Sequence, residues 1–420
     1  MKRFTLDTIL CTIFIFAILG FFASLPLLKI FDAFDPVGEM FSDFELTDIV
    51  FSQLRDEPIA DEELVIVNIG ELNREGIAQQ IRILNKYKPK AIGLDVLLDE
   101  SQPLENDSML VRAFRETPNL IVGEKLVDLN KEGTEFTHIL RPEDHLSEHV
   151  DFGFVNLITD ARTQHDLKVC REFTPKQLVK GEMRYAFPVR LAMAIDSAKS
   201  QRFLNRENEV EIINYKGNVM NFVSQNPRMK YFTLDVMDVL DENFTPDLIE
   251  DKVVIMCTMG RFLGDVLTRE DYYFTPMNER YVGKAEHDMF GGIIHANIIS
   301  QIIDEDHIDT MPKNASIILA IVLCLVNVFF FKMIYGAIPK WYDGVTKLII
   351  LSEVFFLATL MIYLFYDYNY KVDFTLALIV IALSGDAIEV YHGVIKNLFS
   401  KRNRKEIFKV NMKFWEPIKT

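Results

Sequence analysis

Few residues in this chain combine type and position in a way that suggests chemistry. Asp95 follows the apolar residues AIGL at 91–94, within the run AIGLDVL at 91–97, and precedes a turn, where ligands meet the strand ends of parallel α/β sheets. A carboxylate there also serves to cap a helix or pair internally. Asp265 and Thr275, the latter followed by Pro276, lie in a long polar connection after the apolar run KVVIMC at 252–257. Gly291 and Gly292 then lead to His295 and Asn297 on an apolar segment. These five are the candidate ligand-binding residues, and a small polar pocket is the chemistry they suit. The plainer readings are a Thr-Pro turn and a hydrogen-bonded structural histidine. There is no phosphate loop, nucleophile elbow or HExxH zinc helix, and no Cys or His pair has zinc-site spacing. No catalytic residue, cofactor or metal is therefore expected. Glu353, Asp386 and Glu389 carry a separate signal, because each falls in an apolar stretch where a carboxylate needs protein or water around it. Glu353 and Asp386, at overlapping depths on antiparallel helices, are expected to share a proton or hydrogen bond.

The elements that must position the first group read as an α/β alternation. LVIVNI at 64–69 is a short β-branched run between acids and Gly70, the pattern of a buried strand. Ile77, Ile81 and Leu84 recur at helical spacing and stop before Pro89, and the run at 91–97 follows as a second strand. Strand, helix and strand make a βαβ unit, which needs a parallel sheet covered by helices. Further strands are expected at 120–123, 152–157, 210–215 and 252–257, and helices at 107–116, 186–198 and 293–303. Residues 43–55 read as an amphipathic stretch leading into the fold, while 125–150 and 260–288 read as long connections of the kind that often bind. The fold class expected is an α/β domain with a mainly parallel sheet flanked by helices, together with four transmembrane helices.

Those four are runs of mostly Ile, Leu, Val, Phe and Ala, each long enough for a ~30 Å hydrocarbon core. The organisation expected is a cytoplasmic N-terminus at 1–7, a membrane helix at 8–30 and an extracytoplasmic domain at 31–312. Membrane helices at 313–333, 344–366 and 372–394 follow, then a basic cytoplasmic tail at 395–420. Orientation comes from the cations that resist translocation: Lys2 and Arg3, Lys332, Lys340 and Lys347, and the tail beginning at Lys396. A cleaved signal peptide is the alternative for the first helix. Residues 30–331 hold 52 acidic against 30 basic side chains, so the large domain repels phosphate backbones and nucleic acid is excluded as its partner. Of the four cysteines, only Cys170 and Cys257 lie where a disulfide is open to them.

Several segments, in order, resemble the CHASE type 2 domain, a family of extracytoplasmic sensor modules in bacterial receptors. They are Thr47-Asp48, LVIVNIGEL, PKAIGLDVLLDE at 89–100, GFVNLITD at 153–160 followed by Arg171, FPVRLAMAI at 187–195, INYKG at 213–217 and FTLDVMDVLDE. The final block runs LIEDKVVIMCTMG at 248–260, Asp265, Thr275-Pro276 and MFGGIIHANIISQII at 289–303, so the resemblance covers about residues 46–312. The family's Trp-Pro-Arg segment after the first strand is missing, and its Asp-Gly-x-x-Arg turn is replaced by a longer stretch from Asp160 to Arg171.

The resemblance implies a membrane-anchored sensor at the cell inner membrane, with the large domain in the periplasm and both termini in the cytoplasm. It would bind a small ligand or an envelope protein and relay the state to a separate cytoplasmic or membrane effector, since only 25 residues follow from Lys396. The lipid bilayer is the other partner, and a homo-oligomer is left open. The competing expectation is a scaffolding subunit of a membrane complex that binds no small molecule.

Overall fold

The computed structural model describes residues 2–24, 45–98, 104–130, 135–158, 169–219, 228–265, 271–278 and 287–391. Contacts divide the chain into two units, Met40–Ile308 and the remainder.

In the remainder, α1 (Lys2–Ser24) is the first helix in the chain. The Met40–Ile308 unit is built on a sheet whose parallel core holds β1 (Leu64–Asn68), β2 (Ala91–Asp95), β3 (Leu120–Leu129), β5 (Asp151–Phe154), β10 (Phe232–Leu234) and β11 (Val253–Cys257). Its order is β10-β1-β11-β2-β3, with β5 also on β3, so the late strand β11 inserts between the first two. The connections include α2 (Arg74–Lys86) and α3 (Leu104–Glu116). Asn73 caps α2 by accepting from the Gly76 amide, and the apolar stripe Ile77, Ile81 and Leu84 is the buried face. Successive strand residues point to opposite faces. Val65, Val67, Ile92, Leu94, Val254 and Met256 form one core with α2 and α3.

On the other face lie α5 (Phe187–Ile195) and α8 (Gly291–Ile303). A Cβ on Gly93 would come within 2.6 Å of a Leu191 methyl, so the missing side chain is what lets α5 approach. At 13 residues, α8 is only about 20 Å long, and Gly291 to Ile302 are all buried. It is a core helix.

The sheet is mixed rather than mainly parallel. β3 runs ten residues, and its second half pairs antiparallel with β4 (Phe136–Leu140). Beyond β4 come β7 (Lys176–Val179) and β8 (Glu182–Tyr185), an antiparallel hairpin. Residues 125–150, expected as a connection, therefore supply the β3 extension, β4 and the one-turn helix α4 (Asp144–Ser147). The pattern was hidden because this arm is half exposed on both faces, which weakens the period-two signal. The helix expected at 186–198 breaks at Asp196, whose carboxylate caps α6 (Ser197–Leu204) by accepting from the Lys199 amide. Short pairs complete the unit: β6 (Glu172–Phe173) with β9 (Glu211–Ile212), and β12 (Tyr272–Tyr273) with β13 (Met289–Phe290). The helix α7 (Val236–Leu240) opens with a capping box from Asp235 and Asp238. Ahead of β1, residues 45–55 are anchored by Arg171, which grips the Asp48 carboxylate through Nε and Nη2 at 3.1 and 2.6 Å. All four cysteines are free and buried, so Cys170 and Cys257 form no disulfide.

In the second unit, β14 (Asp309–Thr310) pairs with β15 (Tyr370–Lys371). Two helices there, α9 (Lys313–Ala337) and α10 (Tyr342–Tyr368), are long and apolar enough to cross a membrane, α10 together with the turn from Pro339. These two stand where four were expected, among the described residues. The span expected at 8–30 and the one at 372–394 both run past those residues. Their described apolar parts, Leu6–Gly20 of α1 and Thr375–Val390, which forms α11, are too short for a ~30 Å core. Glu353 finds Asn327 of α9 rather than Asp386: Nδ2 donates to its Oε2 at 2.7 Å. The amide reaches the carboxylate from the neighbouring helix, a partner that matching depths along α10 and α11 did not reveal. Glu389 shares a side-chain hydrogen bond with Asp343.

Candidate functional site

Because β1, β11 and β2 are parallel and in register, Asn68, Cys257 and Asp95 form a row across the carboxyl edge of the sheet. Asn68 is fully committed. Its Nδ2 donates to Asp235 and to the Gly260 carbonyl, and its Oδ1 accepts from the Gly70 and Met259 amides. It ties together the loops after β1, β10 and β11.

The other end of the row is unlike this. Asp95 Oδ2 is buried with no hydrogen-bond partner, and His295 Nε2 lies 3.8 Å from it, beyond hydrogen-bond reach. His295 Nδ1 is also buried and unpartnered. The imidazole is held edge-on to the Phe187 ring, at 5.4 Å between centroids. Over the first turn of α8 stands Asp271. Its carbonyl accepts from the Gly291 amide at 2.9 Å, and its carboxylate is hydrogen-bonded by Tyr273 and crowds the place where a Gly291 Cβ would be. A Cβ on Gly292 would overlap Cys257 Sγ, so two glycines are needed for this helix to begin against the sheet edge.

Burial sets the protonation here. It pushes the Asp95 carboxyl well above its ordinary value, with the Asp271 charge adding to the effect. Asp271 is raised to about 6 by burial, against the lowering pull of Tyr273, Gly291 and Lys125. Burial depresses His295 to about 3, so its ring is neutral at pH 7. The Cys257 thiol is pushed up by burial first, then by Asp95 and Asp271, and thus lacks the thiolate needed for nucleophilic attack. The arrangement is one of desolvated carboxyls that burial shifts toward their protonated form, beside a neutral ring. It suits recognition of a group that brings its own hydrogen bonds.

The structure brings Asp95 and His295 together and gives the other three candidates partners of their own. Asp265 accepts from Arg261 Nε at 2.8 Å and from the Arg261 amide. Thr275 donates through both its amide and its hydroxyl to Asp288, whose carboxyl is raised to about 7 by burial despite those bonds. Asn297 Oδ1 accepts from the Lys216 and Gly217 amides, while its Nδ2 donates to the Gly217 and Ile293 carbonyls. Asp271 and Cys257 were absent from the sequence candidates. Cys257 was visible as the end of KVVIMC; Asp271 was one acid among several in a polar stretch, with nothing local to single it out. No group of three or more His, Cys, Asp or Glu is arranged to hold a metal ion among the described residues.

A family model described as the CHASE2 domain matches residues 14–329. No curated protein and no solved structure matches the chain.

Proposed function

The chain belongs to the CHASE2 domain family, and from that premise we propose that it is a membrane-anchored extracytoplasmic sensor whose input site is the Asp95–Asp271–His295 cluster. One observation carries this reading: two buried polar atoms, Asp95 Oδ2 and His295 Nδ1, lack partners at the carboxyl edge of a parallel sheet. A fold that satisfies Asn68 and Asn297 completely leaves these two open to a ligand. Lys2, Arg3 and the basic residues after Lys396 support both termini lying in the cytoplasm, with α9 and α10 among the spans. The state is then passed to a separate effector. Residues 401–420, basic and carrying Phe408, Phe414 and Trp415, are the proposed contact and lie outside the described residues.

The test is to purify the full chain under native conditions and identify co-purifying small molecules by mass spectrometry, beside an isosteric Asp95→Asn variant. A compound held by the first and depleted at least tenfold in the second supports the reading; equal recovery from both overturns it. Scaffolding is the second reading. It rests on Leu178 and Met183, cross-strand partners in the β7–β8 hairpin that are 44% and 47% exposed. It predicts that Met183→Glu abolishes capture of an envelope protein while leaving small-molecule content unchanged.

A further inference from the structure

A cleft of about 290 Å³ lies at the other end of α8 from Asp271. Its walls come from two stretches, residues 59–64 ahead of β1 and the last turns of α8, with Ile195 and Lys230 closing the sides. We propose that this cleft is a second binding site, for a small amphipathic amine with a short apolar body and an ammonium head.

Much of the cleft's surface is apolar. Ile195, Ile299 and Ile303 contribute to it, and so does Ile59, which is 87% exposed. A single exposed isoleucine is ordinary, but one that lines a cleft with three others adds apolar surface for a guest. The volume sits at the small end of the usual range for ligand pockets, about 300–1,000 Å³, which fits a short chain.

The charges select the head group. Among the described lining residues Lys230 is the one cation, and it is already matched: its Nζ lies 3.3 Å from Asp61 Oδ2. Asp61 is itself saturated, for Oδ2 also accepts from Ser300 Oγ at 2.8 Å and Oδ1 accepts from the Glu63 and Leu64 amides. Asp304 is paired to Lys216 at 3.1 Å. What remains is the exposed pair Glu62 and Glu63 against one further cation, Lys199, whose Nζ donates to the Ile303 carbonyl at 2.6 Å, so the cleft still presents net negative charge. An anionic guest is repelled there, a neutral one gains only the apolar surface, and an alkylammonium gains both. A guest would touch the stretch leading into β1 and the end of α8, ten residues ahead of α9 in sequence.

The experiment uses the full chain in lipid nanodiscs with n-hexylammonium as probe and hexanoate and hexanol as controls, read by hydrogen exchange. Protection of residues 59–64 and 299–304 is expected with hexylammonium, at least tenfold weaker with hexanoate. Glu62→Gln with Glu63→Gln, both at exposed positions, should weaken hexylammonium about fivefold and leave hexanol unchanged. Ile59→Ser should weaken both. Equal protection by hexanoate, no protection at all, or hexylammonium binding indifferent to the Glu62 and Glu63 changes would each overturn the proposal. The Asp95→Asn experiment is independent of all three.

Discussion

The two ends of α8 solve the problem of a polar group on a buried helix in opposite ways. Toward its C-terminus, Asn297 and Gln301 reach outward and hold crossing chain: Gln301 Oε1 accepts from the Asn214 amide at 2.9 Å and Nε2 donates to the Ile212 carbonyl at 3.0 Å. Ser300 donates to Asp61. At the N-terminal end, His295 is nearly as buried and the Asp95 it faces turns a buried Oδ2 toward it, and each is left with an open position. A buried polar group costs free energy unless it is bonded, so the first set is there for the fold, and the second needs another reason. The contrast separates residues that look equivalent in the string GGIIHANIISQII.

The comparison can be broken most forcefully at Asn297. Asn297→Leu strands the Lys216 and Gly217 amides and the Gly217 carbonyl, and should cost about 4 kcal/mol, from about 1–3 kcal/mol for each buried group left unbonded. Pulse proteolysis of the full chain measures it, and a loss below about 1 kcal/mol would show that the loop re-bonds elsewhere. Gly292→Ala should come next, at about 2 kcal/mol from overpacking against Cys257. Cys257→Ala should restore only part of that, since the Cys257 Cβ is also in reach of the new methyl.

Asp95→Asn should go the other way. Removing an acid that burial and Asp271 already disfavour should leave stability unchanged or raise it by about 1 kcal/mol. Acidity gives the same contrast a sign. Asp271 rises from 3.8 to about 6 on folding, so the folded state holds a proton that the unfolded chain has released. Its contribution is therefore fully present below about pH 4 and is lost as the pH climbs through about 6. Asp271→Asn should flatten unfolding free energy across that window, while Asp288, raised to about 7, keeps a residual slope of the same sign. The smallest effect is expected in the second unit. Glu353→Gln, which can still accept from Asn327, should stay within about 0.5 kcal/mol, and Glu353→Leu should lose about 1 kcal/mol in a membrane unfolding assay.

Some of this was legible residue by residue. LVIVN, AIGLD and VVIMC announce buried strands through β-branched and aliphatic runs, and Ile77, Ile81 and Leu84 announce the inward face of α2, because both signals depend only on backbone period. The apolar lengths of α9 and α10 are likewise a property of composition. Asp95 and His295 were marked by position, at a strand end and after a glycine pair. The sequence alone thus determined the α/β alternation, the long apolar helices and two members of the candidate cluster. Only the tertiary structure decided that β11 lies between β1 and β2, which places Cys257 beside Asp95 and brings α8 with His295 over both. It also decided which polar side chains are spent. Whether an asparagine or aspartate is satisfied depends on amides brought from as far as 191 residues away, as Met259 is to Asn68, and no local pattern encodes that distance.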